Sequence, residues 1–200
     1  MSMKLKEITG VILAGGKSSR FGGNKALAEL DGIPLIERVL NVMRPLFESV
    51  VIITNSPDEY SYLNIPTHRD LIVEIGPLGG IYTGLSKINT GSGFFIACDM
   101  PFLNHKLIRF MSEAIKGFDV VVPRAGWKIE ALHAVYTKAC LPVVKDLIDS
   151  GKYQARKIFD NVHVRYINEQ EIKKFDPLMR SFGNINSVHE LLEVKRGKGS

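Results

Sequence analysis

Three cations, Lys17, Arg20 and Lys25, follow an apolar run that breaks into glycine, Val11-Ile12-Leu13-Ala14-Gly15-Gly16. That combination can hold an anion. Glycine has no Cβ, so backbone N–H groups can approach a phosphate while the side chains supply countercharge. Gly16-Lys17-Ser18 has the look of the end of a P-loop, but where G-x-x-x-x-G-K-[ST] needs its first glycine the chain has Val11. The G-x-G-x-x-G dinucleotide fingerprint fails too, because no glycines follow Gly15-Gly16 at that spacing. A strand-to-loop turn with solvated charges stays open as the alternative. Asp99 is a second candidate. It ends the apolar run "GFFIAC" with Pro101 two residues on, a position suited to Mg²⁺, which favours oxygen ligands, or to an aspartate that bonds its own turn.

Such groups need elements that bring them together. Residues 7–14, "SVVIIT" (49–54), "GFFIAC" (93–98) and "DVVVP" (119–123) are short, nearly all-apolar runs that read as strands. Between them, helices are expected over 35–47, 77–88, 105–115 and 139–150, with a mixed region after residue 123. Strands of this kind alternating with helices indicate a single-domain α/β fold, doubly wound, with a mostly parallel sheet buried on both faces. The domain is expected to span 1–194, and the basic tail "KRGKGS" (195–200) reads as disordered. In such sheets ligands bind beyond the carboxyl ends of the strands. The loop 15–25, Thr54-Asn55 and Asp99 should therefore share one rim.

Composition narrows the function. Two hundred residues, 45% of them hydrophobic, suffice for one packed core. The net charge of +5 owes three of its charges to Lys195, Arg196 and Lys198, and no basic stripe with interleaved aromatics is present, which argues against nucleic acid as partner. No apolar stretch approaches a bilayer span, and the first residues lack the apolar core of a signal peptide. Cys98 and Cys140 form no C-x-x-C pair, so a reducing cytoplasm is the expected location. The five histidines show no metal-ligand spacing.

With these residues in view, a resemblance emerges. "LAGGKSSRFGGNK" (13–25) resembles the L-A-G-G-x-S-x-R-M-G-x-D-K signature of nucleotidyltransferases that activate molybdopterin. It continues through "THRD" (67–70), "GPLGGIYTGL" (76–85), "FFIACDMPFL" (94–103) and "FGNINSVHEL" (182–191), five blocks in the family's order along nearly the whole chain. The sequence is similar to the molybdenum cofactor guanylyltransferases, which join GMP from GTP to the terminal phosphate of Mo-molybdopterin and release pyrophosphate. Molybdopterin cytidylyltransferases share much of the first block and are the close competitor, while a non-catalytic nucleotide-binding homologue is the alternative from another class. The chain departs from the signature at Phe21 and Asn24, and has Glu130-Ala131-Leu132 where the family often has Gln-Pro-Leu.

The resemblance implies specific roles. Arg20, Lys25 and Asp99 would be catalytic, with Asp99 holding Mg²⁺. GTP would be bound by Leu13, Ala14, Gly15, Lys25, Asn55, Asp70, Gly79 and Asp99. An amide such as Asn55 can read a purine edge with one donor and one acceptor, although a turn residue before Ser56-Pro57 is equally open. Asn184 and Asn186 would face the second substrate, with Ser187 and Glu190 forming a capping box for a helix over 187–192. Trp127 is open between lining that pocket and packing. Partners implied are GTP, Mo-molybdopterin, and proteins that deliver or accept the cofactor, with no nucleic acid and no membrane.

Overall fold

The computed structural model describes residues 3–15 and 23–195. In chain order the elements are β1 (Ile8–Leu13), β2 (Glu29–Leu30), β3 (Ile33–Pro34), α1 (Leu35–Leu46), β4 (Val50–Ile53), β5 (Thr67–His68), α2 (Pro77–Lys87), β6 (Ser92–Ala97) and α3 (His105–Glu113). Then come β7 (Val120–Ala125), β8 (Lys128–Ile129), β9 (His133–Thr137), α4 (Leu141–Asp149), β10 (Val164–Asn168), α5 (Glu169–Lys173) and α6 (Val188–Lys195). The main sheet runs β10-β7-β9-β6-β1-β4-β5, with β8 paired to β7.

The apolar strands form because successive side chains enter different cores. Ile12, Ile52, Phe94 and Val121 pack with α1 and α3, through residues such as Val39, Met43 and Leu107. Val11, Val51, Phe95 and Val120 pack on the other face with Leu78 and Leu85 of α2 and Val144 of α4. The four anticipated helices and four anticipated strands are present within a residue or two of their expected ends. The mixed region resolves into β8 and β9, and the sheet is accordingly mixed. β9 lies antiparallel between β6 and β7, with Phe95 opposite Ala134 and Val121 opposite Val135. Elsewhere β1 is parallel to both β4 and β6, so Leu13 is level with Ile53 and Ala97. The carboxyl ends of β4, β1 and β6 thus open on the same rim. Of the expected tail, Lys195 closes α6 and 196–200 lie outside the described residues.

Candidate active site at the carboxyl ends of the strands

Lys25, Asp99 and Asn186 are far apart in sequence and converge in space. The Lys25 Nζ donates to Asp99 Oδ2 at 2.5 Å and to Asn186 Oδ1 at 2.9 Å. The ion pair is largely shielded, with side-chain exposures of 15% for Lys25 and 17% for Asp99. Each partner is delivered by a different local device. Asn24 caps a short 3₁₀ turn (Lys25–Leu27) by accepting from Ala26 N at 3.0 Å, which fixes where Lys25 leaves the backbone. Asp99 follows β6, and its backbone carbonyl accepts from Ile185 N at 3.0 Å, tying the 184–186 segment to the strand end. Ile185 is buried while Asn184 and Asn186 are exposed, so the strand-like alternation turns both amides outward. Ser187 Oγ accepts from Glu190 N at 3.1 Å, as the capping pattern anticipates. The Glu190 carboxylate, however, accepts from Asn186 N, one residue earlier than a full capping box requires, and so steadies Asn186 instead.

On the β4 side of this pair lies a cleft of about 690 Å³ lined by, among others, Ala14, Gly15, Asn55, Glu59 and Asp70. Asn55 and Asp70 are locked together. The Asn55 amide donates to Asp70 Oδ2 at 2.9 Å, and Asn55 Oδ1 accepts from Asp70 N at 3.3 Å. Burial raises the Asp70 carboxyl above the usual carboxylate range, against the lowering effect of Asn55. Its Oδ1 is buried without a hydrogen-bond partner. Gly15 passes so close that a Cβ there would stand 3.2 Å from Asp70 Oδ2 and press on the carboxylate.

Asn24 also reaches this cleft. Its amide donates to Glu59 Oε2 and, at 2.8 Å, to the Tyr60 hydroxyl. Burial pushes Tyr60 up to about 12, so the hydroxyl stays protonated. Glu59 and Tyr60 belong to a 3₁₀ helix (Pro57–Leu63) that the sequence reasoning did not single out. Its signals were Pro57 at the first helical position followed by Asp58 and Glu59.

Of the remaining anticipated residues, Leu13 ends β1, and its carbonyl accepts from Cys98 N at 3.1 Å. Gly79 is buried in the first turn of α2 and does not line the cleft. A Cβ there would meet the Ile72 carbonyl at 2.8 Å, so its small size lets the loop over α2 pack and form the cleft wall indirectly. Arg20 and Lys17 lie outside the described residues. Burial and the Asp99 carboxylate push the Cys98 thiol up to about 12 against the pull of Lys25, which favours the thiol over the nucleophilic thiolate. Trp127 does not pack, being 91% exposed.

Asp99 offers a fit for a metal. Its Oδ2 is taken by Lys25, while Oδ1 is buried with no hydrogen-bond partner. Among the described residues no group of three or more His, Cys, Asp or Glu side chains could cage an ion. A single carboxylate is what Mg²⁺ commonly takes when substrate phosphates and waters complete its shell.

The model of the MobA-like NTP transferase domain matches residues 10–167. The chain is 38% identical over 186 residues to the molybdenum cofactor guanylyltransferase of Desulfosudis oleivorans, covering 92% of each sequence. It is 36% identical over 168 residues to a probable molybdenum cofactor guanylyltransferase of Carboxydothermus hydrogenoformans, covering 84% of this chain and 85% of that one. Among solved structures, the molybdopterin-guanine dinucleotide biosynthesis protein A from Archaeoglobus fulgidus superposes with a TM-score of 0.83 at 26% identity, over 94% of this chain and 97% of that one.

Proposed function

The chain belongs to the MobA-like NTP transferase family, and from that membership we propose that it transfers GMP from GTP to the terminal phosphate of Mo-molybdopterin and releases pyrophosphate. The observation that carries this reading is the Lys25–Asp99–Asn186 cluster beside a cleft large enough for a nucleoside. Transfer asks an anionic phosphate to attack the α-phosphorus of an anionic triphosphate, so catalysis is chiefly alignment and neutralisation of charge. In this reading the backbone of Leu13, Ala14 and Gly15 lies along the nucleotide, and Asp70, held by Asn55, meets the nucleoside. Lys25 Nζ stabilises charge that grows on the α-phosphoryl oxygens, and Arg20 binds the departing pyrophosphate. Asn186, already bonded to Lys25, and Asn184 beside it face the incoming phosphate. Asp99 would hold Mg²⁺ through its unpartnered Oδ1. That ion would supply neutralisation of phosphate oxygens.

Among the described residues no helix is long and apolar enough to cross a membrane. We place the protein in the cytoplasm, with proteins that deliver or accept the cofactor as partners. The test is a thermal melt with Mg²⁺ and each nucleoside triphosphate, since a ligand that binds only the native state raises its melting temperature. GTP should give a larger shift than CTP or ATP. A larger shift with CTP would transfer the proposal to the cytidylyl alternative.

A further inference from the structure

A second cavity stands on the same rim, on the far side of the Lys25–Asp99 pair from the nucleoside cleft. It measures about 270 Å³ and lies between the β7–β8 hairpin and the segment 172–183, with Pro123, Ile172, Met179 and Phe182 as apolar walls. Into it comes one carboxylate, Glu130, whose side chain is 15% exposed. Glu130 Oε1 is buried and meets the Lys128 ammonium at 2.5 Å without a well-directed hydrogen bond. Lys128, 58% exposed, therefore stands toward solvent at the mouth. Two chain segments tie this cavity to the reacting centre. Leu132, two residues beyond Glu130, accepts from Ala97 N at 3.2 Å, just before Cys98 and Asp99. Gly183, in the cavity wall, leads through Ile185 to Asn186 on Lys25.

A largely apolar slot with a single shielded carboxylate suits a flat heterocycle that presents two parallel N–H donors. A pterin ring has that edge in its 2-amino group and N3–H, and a carboxylate can accept both at once. We propose that this cavity is the subsite for the pterin ring of the second substrate and that Glu130 determines specificity by accepting from its aminopyrimidinone edge. The proposal rests on the guanylyl-transfer reading above. Docked there, the ring system extends its phosphate along the rim toward Asn186 and Lys25. Lys128 is freed to meet the ring carbonyl that neighbours N3–H.

Trp127 makes the proposal measurable. It is the only tryptophan in the chain, it adjoins Lys128, and it is 91% exposed in the hairpin turn at Gly126. Intrinsic fluorescence of the full chain is titrated with a free pterin and with the lumazine bearing the same 6-substituent, in which a carbonyl replaces the 2-amino group. Calorimetry gives the affinities independently of optical overlap. The pterin should bind with a change in Trp127 emission, and the lumazine about tenfold more weakly or worse, because its carbonyl faces the Glu130 carboxylate. Glu130→Gln should lose about tenfold in pterin affinity and the preference with it, while the protein stays folded and GTP raises its melting temperature by as much as in the parent. Equal binding of the two pteridines, a Glu130→Gln protein with undiminished preference, or no pteridine binding by a protein that GTP still stabilises would each overturn the subsite. Absence of any GTP shift would instead count against the guanylyl-transfer reading.

Discussion

Replacing Asp99 by asparagine separates two things on one side chain, the ion pair that it makes with Lys25 and the cation site that the proposed function gives it. The substituted amide keeps the shape, and its oxygen can still accept from Lys25 Nζ, where Asp99 Oδ2 now accepts at 2.5 Å. What disappears is the charge opposite Lys25. Breaking a deeply buried pair costs about 3–5 kcal/mol. Here both side chains retain some exposure, 15% and 17%, and Asn186 Oδ1 still accepts from the ammonium. The expected loss is therefore smaller, about 1–2 kcal/mol. For a chain of this size that lowers the melting temperature by roughly 2–8 °C and leaves the protein folded at 25 °C. Transfer should suffer more. Without the carboxylate, the proposed Mg²⁺ loses its protein ligand, and removing one such electrostatic contact typically costs about 10²-fold in rate, about 2.7 kcal/mol. The assay is pyrophosphate release at saturating GTP and limiting Mg²⁺, alongside a thermal melt. A folded Asp99→Asn protein with near-parental transfer at limiting Mg²⁺ would refute the metal assignment.

Other outcomes follow from contacts in the same region and in the core. His133 is fully buried with neither ring nitrogen hydrogen-bonded, and burial lowers it to about 3, against the pull of Asp176. The unfolded chain, with an ordinary histidine near 6.5, takes up the proton first, so stability should fall as pH drops from about 6.5 toward 3, by about 2 kcal/mol at pH 5. Chemical denaturation from pH 7 to pH 5 checks this, and a His133→Phe protein with the same slope over that range would remove the histidine as its source. Gly79→Ala should cost about 1–3 kcal/mol, because its Cβ would meet backbone at the Ile72 carbonyl, 2.8 Å away. An unchanged melting temperature would contradict that packing account. Asn24→Asp should cost about 0.5–1.5 kcal/mol by setting a carboxylate against Glu59, and Glu59→Gln in the same chain should restore most of it. Additive losses in the double variant would show that the two side chains do not communicate.

Much of this architecture is legible in the sequence because buried parallel strands leave uninterrupted apolar runs. Val50–Ile53 and Phe94–Ala97 could be mistaken for little else once helices of suitable spacing flank them. β9 escaped for a physical reason. Its first residue, His133, counts as polar in any apolar pattern, yet it sits buried and neutral between Phe94 and Phe182, with ring centroids 5.3 and 5.0 Å away. The β2–β3 hairpin was marked by Asp31-Gly32, both at positive φ, in strands too short to show alternation. At the site, the rule that ligands lie beyond strand ends brought Gly15, Asn55 and Asp99 to one rim. The pairing of Asp99 with Lys25, by contrast, depends on a capped turn whose cap, Asn24, does its work through contacts 35 and 36 residues away as well as locally. Asn186 reached the candidate set only through family resemblance, since nothing local announces that it will bond a lysine 161 residues earlier. Glu130 stood out only as a departure from the family's Gln-Pro-Leu, because the cavity that it lines forms between the β7–β8 hairpin and a segment some forty residues further on.

The most direct test of the central claim is a competition for the transferred nucleotide. The full chain is incubated with Mo-molybdopterin, Mg²⁺ and equal concentrations of GTP and CTP, and the pterin product is weighed by mass spectrometry while pyrophosphate is counted. The expected product is heavier by one guanylyl residue (GMP less water), with one pyrophosphate released for each. A CMP adduct in the majority, or pyrophosphate release without any nucleotide joined to the pterin, would contradict it.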